Sequence, residues 1–135
     1  MKIRMLFLGV AVHLATVNPA LAQRALVPSE QLNEQIKVID VSFDRHSVSG
    51  RLINRTPSTL RDIRLEVRLT WHWANETSPG AESPGRTGYY RVPGELAPDG
   101  ELRFSFRLAP PLSERTDGRF SVSVGVTGFT EVTNE

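Results

Sequence analysis

Leu60 to Ala74 reads LRDIRLEVRLTWHWA, and its alternation decides the fold. Ile63, Leu65, Val67, Leu69, Trp71 and Trp73 are apolar, while Arg64, Glu66, Arg68, Thr70 and His72 between them are polar or charged. Successive side chains on a strand point to opposite faces, so a strand buries all six apolar residues on one side. A helix would gather Leu60, Ile63, Val67 and Trp71 but scatter Leu65, Leu69 and Trp73. The stretch is therefore expected to be one long strand. Ile63 to Trp73 would span about 36 Å at roughly 3.3 Å per residue, so part of it should extend beyond the sandwich or bend from one sheet to the other.

Similar patterns lie on both sides. Ile36 to Phe43 reads as a strand with Ile36, Val38 and one of Val41 or Phe43 facing inward. Its phase slips near Asp40, where Ile39 and Val41 are both apolar, which a bulge would explain. Asp44-Arg45-His46 makes a turn. Ser47 to Asn54 follows, with Val48 and Leu52 on one face and Gly50 between them marking a bulge or a close backbone approach. Asn75 to Thr87 is a Gly/Pro/Ser-rich loop. Gly88 to Val92 is expected to return as a short strand against Thr70 to Trp73, and Pro93 to Gly100 to form a double turn. Glu101 to Leu108 alternates cleanly, with Leu102, Phe104, Phe106 and Leu108 inward. Arg119 to Phe129 alternates again, with Phe120, Val122, Val124 and Val126 inward and the nearly uncharged Ser121, Ser123, Gly125 and Thr127 outward. Six or seven strands, no long helix and regularly spaced turns indicate an all-β, immunoglobulin-like antiparallel β-sandwich.

The N-terminus has a different character. Lys2 and Arg4 precede a mostly apolar run from Met5 to Val17, then the helix breaker Asn18-Pro19 and the small-residue site Ala20-Leu21-Ala22. This is the pattern of a secretory signal peptide cleaved before Gln23. The apolar run is short for a membrane span of about 20 residues, so no stable membrane anchor is expected after cleavage. Cleavage of 22 of the 135 residues leaves 113, the size of one domain. The expected division is signal peptide 1–22, surface leader 23–35, sandwich 36–130 and tail 131–135. Ser29 begins a segment that suits a single helical turn through Leu32, too short to be stable alone. Removing Lys2 and Arg4 from the 16 basic residues leaves 14 against 15 acidic, a net charge of −1. The basic balance thus belongs to the signal, and nucleic acid is not an expected partner. The chain has no cysteine, so a lipid-modified N-terminal cysteine is excluded and the core must stabilise the fold without disulfides. A periplasmic or secreted location follows as the expectation.

The run Val48-Ser49-Gly50-Arg51-Leu52-Ile53-Asn54-Arg55-Thr56, followed by Leu96-Ala97-Pro98-Asp99-Gly100-Glu101 ahead of Phe104, resembles the FxLYD-type and related immunoglobulin-like domains of bacterial envelope proteins. Those carry an early G-x-x-x-N-x-[ST] turn and an L-x-P-G-E-like turn before a strand containing Phe. The resemblance spans Ile36 to about Val126. At the position of the eponymous motif, Val67 to Trp71, only Leu69 fits. The resemblance implies a sandwich that serves as an accessory or interaction module.

Trp71, His72 and Trp73 are the candidate binding residues, joined by Tyr89 or Tyr90 from a neighbouring strand. Together they suggest an aromatic strand tip able to stack on a sugar ring or grip a peptide. Strand phase makes at least one tryptophan a core residue, with Trp73 the more exposed. The mature chain has two histidines, His46 and His72, no cysteine and no methionine, which is too few soft ligands for an ordinary copper or zinc site. No metal and no cofactor is expected. Arg64, Arg68, Arg103 and Arg107 would form a basic stripe if their strands were neighbours. No serine sits in a nucleophile elbow and no glycine-rich loop opens a helix, so no enzymatic activity is expected. Two readings remain: a protein-interaction or accessory module that binds another envelope or secreted protein, and a small carbohydrate- or envelope-polymer-binding domain using the aromatic tip.

Overall fold

The computed structural model describes residues 29–80 and 82–133. The expected signal peptide and Gln23 to Pro28 of the leader lie outside the described residues. A short helix, α1 (Ser29–Gln35), leads into six strands: β1 (Ile36–Phe43), β2 (Ser47–Asn54), β3 (Thr59–Trp73), β4 (Arg86–Leu96), β5 (Glu101–Arg107) and β6 (Gly118–Val132). They form two three-stranded antiparallel sheets, β1-β2-β5 and β4-β3-β6. The all-β sandwich read from the periodicity is the observed architecture, at the six-strand end of the range.

The core lies between the sheets. Ile63, Leu65, Val67, Leu69 and Trp71 of β3 are all buried, as the alternation requires. They meet Val48 and Leu52 of β2 together with Phe104 and Phe106 of β5. Leu60 is buried on the same face although it is out of phase with Ile63. Asp62 resolves the conflict: it has a φ of 53° and sits where the β3 register shifts, so the bulge restores the phase. Asp40 does the same in β1 with a φ of 54°, between Ile39 and Ser42. Aspartate is among the few non-glycine residues that tolerate this left-handed conformation. Arg91 pairs with Asp62, and Arg51 with both Asp40 and Glu101, so each bulge is also held by charge.

Gly50 is a close approach rather than a bulge. It faces Phe104 across β2–β5, and a Cβ placed there would lie 2.6 Å from the phenyl ring. Asn54 explains the turn motif. Its side chain is fully buried; Nδ2 donates to the carbonyls of Ser58, Leu96 and Ala97 at 2.7, 3.1 and 3.1 Å. Its Oδ1 accepts from the N–H and hydroxyl of Thr56 at 2.9 and 2.7 Å. One amide thereby ties the β2–β3 turn to the β4–β5 turn, where Asp99 holds the left-handed position with a φ of 56°.

Several expectations are corrected. Gly88 to Val92 pairs with Ile63 to Val67, not with Thr70 to Trp73, and β4 continues through Pro93 to Leu96. This register buries Val92 and Leu96 beside β3. Proline is tolerated because β4 is an edge strand, and Gly94, with a φ of 94°, takes up an irregularity opposite Asp62. β3 does not overrun its sheet: β6 pairs with it from Thr59 to Trp73. β6 runs to Val132, past the expected boundary at Thr130. Arg64 and Arg68 lie in one sheet and Arg103 and Arg107 in the other, so the basic stripe does not form. Leu112, in the connection between β5 and β6, is buried. α1 is a helix of seven residues rather than a lone turn. It is stabilised by docking: Leu32 packs on the core, and the Val126 N–H donates to Asn33 Oδ1 at 2.9 Å.

Candidate functional site

The aromatic tip is built at the end of β3 that lacks a β4 partner. β4 accompanies β3 only as far as Leu69, so Thr70 to Trp73 pair with β6 alone. Trp71 points inward and is 7% exposed, while Trp73, two residues on, is half-buried. Their rings meet edge to face with centroids 5.8 Å apart, and Phe120 of β6 packs on Trp71 at 4.7 Å. The Trp71 indole N–H is buried without an acceptor among the described residues. Gly118 makes the close packing feasible: a Cβ there would fall 2.5 Å from the Trp71 ring.

A residue absent from the sequence-derived set completes the cluster. The guanidinium carbon of Arg115 lies 5.4 Å from the ring centroids of both Trp71 and Trp73, within cation–π range. Asp117 holds it bidentately, at 2.9 Å to Nε and 2.6 Å to Nη2. That hydrogen bonding moves the Asp117 carboxyl below its ordinary value and raises the Arg115 guanidinium above its own. Because β3 pairs Trp73 with Gly118, the Arg115-Thr116-Asp117 run reaches the rings from just before β6. A sequence signal existed only in the charge pair preceding a strand-initiating glycine.

Trp73 is not an open platform. Gly80 of the β3–β4 loop packs against its ring so closely that a Cβ would lie 2.6 Å from it. With Arg115 on the same ring, little of the tryptophan is left for a sugar to stack on. Tyr89 and Tyr90 do not join it, since the β3–β4 register sets them opposite Glu66 and Leu65. Tyr90 points inward and stacks on Phe106 at 4.5 Å with an interplanar angle of 13°. Tyr89 is 71% exposed on the outer face. His72 is exposed, and its Nε2 lies 2.7 Å from Ser121 Oγ. That contact bridges β3 and β6 on an exposed sheet face.

The second feature is the free edge of β6. It ends its sheet, and no strand among the described residues pairs with its outer side. The Val126 N–H points outward to Asn33, so strand alternation turns the backbone N–H and C=O of Phe120, Val122 and Val124 outward too. Their side chains are half-buried. The other three edges carry features that discourage pairing. β1 has the Asp40 bulge, β4 has Pro93 with Arg91 and Glu95, and β5 alternates Glu101, Arg103 and Arg107. Between Arg119 and Glu131, β6 has no charge and no proline.

No known protein family and no curated protein matches this chain. Among solved structures, the trimeric lipoprotein SadB of Salmonella enterica is similar. The likeness has a TM-score of 0.39 and 12% sequence identity, and it covers 93% of this chain and 78% of that one. No residue role or activity passes to this chain from a likeness of that degree.

Proposed function

We propose that this protein is an exported, non-catalytic β-sandwich that works by binding another protein of the bacterial envelope or exterior, through strand addition at β6. The observation that carries this reading is the uncharged run from Phe120 to Thr130 on an edge strand, with outward-facing backbone groups at Phe120, Val122 and Val124. Such an edge offers main-chain hydrogen bonds for affinity and alternate side-chain positions for selectivity. The signal-peptide pattern of residues 1–22 supports export to the periplasm or beyond. The partial likeness to FxLYD-type envelope domains supports an accessory role. The non-catalytic reading is supported by the exposure of the His72–Ser121 contact, to which no third orienting group is joined among the described residues.

The test is an affinity capture of the protein from its own envelope fraction, with Val122→Pro and Trp73→Ala as parallel baits. A stoichiometric protein retained by the wild type and by Trp73→Ala but lost with Val122→Pro is the expected result. Capture unaffected by Val122→Pro refutes the edge. The glycan reading keeps one supporting observation, the residual exposure of Trp73 beside Arg115. Quenching of Trp73 fluorescence by envelope polysaccharide would establish it.

A further inference from the structure

We infer that the outer face of the β1-β2-β5 sheet binds an acidic polysaccharide, across a transverse row of serines between Arg103 and Arg107. This goes beyond the strand-addition reading and uses the other sheet. The pairing register sets Ser42, Ser49 and Ser105 side by side at one level of all three strands, with the Ser42 and Ser49 hydroxyls 3.1 Å apart. Their short side chains lower the surface between longer ones. Arg51 and Arg103 stand together on one side of the row, and Arg107 stands on the other, opposite Ser47. Along the strand Arg103 and Arg107 are about 13 Å apart at roughly 3.3 Å per residue. A shallow depression of about 460 Å³ opens on the Arg51 side of the row, lined by Asp40, Ser49, Arg51, Arg103 and Ser105 among others.

The charges on this face are unevenly matched. Arg51 and Arg103 lie directly opposite each other, and opposed like charges destabilise a strand pair. Arg51 is compensated, because its guanidinium donates to both Asp40 and Glu101. Those two carboxylates are the acidic groups of the face. Arg103 and Arg107 are therefore left exposed with no ion-pair partner among the described residues, and exposed Lys37 adds a third free cation. The chain as a whole is nearly neutral, with 16 basic residues against 15 acidic, so a polyanion held here is drawn by the local field and not by net charge. The rest of the surface selects the class of polyanion. The exposed large apolar residues among the described ones are Phe43 and Tyr89. Tyr89 belongs to the other sheet, and Phe43 follows the inward phase at the far end of β1. Ile39 and Ile53, on the face itself, are half-buried. A protein partner finds no aromatic anchor here, and a bilayer finds no group to insert. The face instead offers guanidinium forks for carboxylate or phosphate, and serine hydroxyls, each both donor and acceptor, for sugar hydroxyls. An extended sugar chain bearing carboxylate or phosphate groups matches both, lying along the row between Arg103 and Arg107.

The experiment is isothermal titration of the exported protein with oligogalacturonate and with a phosphorylated mannan oligosaccharide, beside dextran and polyglutamate. At least one acidic sugar should bind, with affinity falling as salt rises, and the tighter of the two assigns carboxylate or phosphate. Arg103→Gln and Arg107→Gln should each weaken binding about tenfold, the equivalent of one charge-assisted hydrogen bond. Ser105→Val suits an exposed strand position, so the circular dichroism should be unchanged while binding weakens several-fold, an effect that loss of charge does not explain. Failure of both acidic sugars to bind overturns the proposal. So does binding that dextran or polyglutamate matches, and so does binding that all three substitutions leave unchanged. Val122→Pro should leave sugar binding intact, and Arg103→Gln should leave capture of the protein partner intact, so this face and the β6 edge stand or fall separately.

Discussion

Replacing Asn54 by leucine should remove the junction between the two turns at one end of the sandwich. The side chain is fully buried, and leucine keeps its branched four-heavy-atom skeleton, so no cavity opens. Nδ2 has two hydrogens shared among three carbonyls, and Oδ1 accepts two bonds from Thr56. That amounts to roughly four full hydrogen bonds at about 1 kcal/mol each. The Thr56 N–H and the Leu96 carbonyl are also left next to an apolar side chain, which raises the penalty for each orphaned group. A loss of about 4 kcal/mol is a large share of the roughly 5–15 kcal/mol available to a domain. At about 4–8 °C per kcal/mol for a domain of 60–100 residues, the midpoint should fall by at least about 15 °C. Asn54→Asp should be worse, because it turns a carboxylate toward three carbonyl oxygens. Thr56→Val, which leaves the Thr56 N–H bond intact, should cost about 1–2 kcal/mol. Thermal melts and urea titrations of the three variants provide the check. An Asn54→Leu midpoint within about 4 °C of the wild type, equivalent to under 1 kcal/mol, would refute the view that this amide organises the turns.

Gly50→Val would drive its side chain into the Phe104 ring and should cost about 1–3 kcal/mol by overpacking; a Phe104→Leu background should relieve part of that loss in denaturant titration. The two adjacent tyrosines should separate cleanly. Tyr90→Ala loses the stack on Phe106 and should cost about 3 kcal/mol, whereas exposed Tyr89→Ala should stay within about 0.5 kcal/mol. The Asp44 carboxylate accepts N–H bonds from His46 and Ser47 at 2.7 and 2.8 Å, which hold its pKa below the ordinary value in the folded state. A depressed folded pKa gives a contribution that is complete above the unfolded value of about 3.9 and is lost as pH falls through the folded one. Melting temperature should therefore drop with acid in that window, and less steeply in Asp44→Asn, which keeps an accepting oxygen but does not titrate.

Strand periodicity made β3, β5 and β6 legible because each buries one face and wets the other. The pairing of β4 was not legible. Pro93 and Gly94 carry turn chemistry in sequence, and only an edge position beside a bulge makes them compatible with a strand. α1 was missed as a full helix because its stability comes from Leu32 and Asn33 docking on distant residues, not from its own seven positions. At the tip, strand phase put Trp71 and Trp73 on one face, and the terminal position of Trp73 marked it as the more exposed of the two, as its burial shows. Strand phase did not separate Tyr89 and Tyr90 from them, because a neighbour across a hairpin is fixed by register, and register depended on burying Val92 and Leu96. Arg115 was invisible for the same reason: its proximity to the rings exists only once Gly118 lies opposite Trp73.

β6, the last strand, is also the longest partner of the strand at the centre of its sheet. A chain that emerges N-terminus first, from a ribosome or a translocation channel, presents β3 long before it presents β6. During that interval β3 can pair only with β4, along Leu60 to Leu69, and the core face at Trp71 waits for Phe120. The sandwich closes only once β6 has emerged. Until then the chain remains threadable, and the apolar row of β3 is the segment most in need of a chaperone's cover.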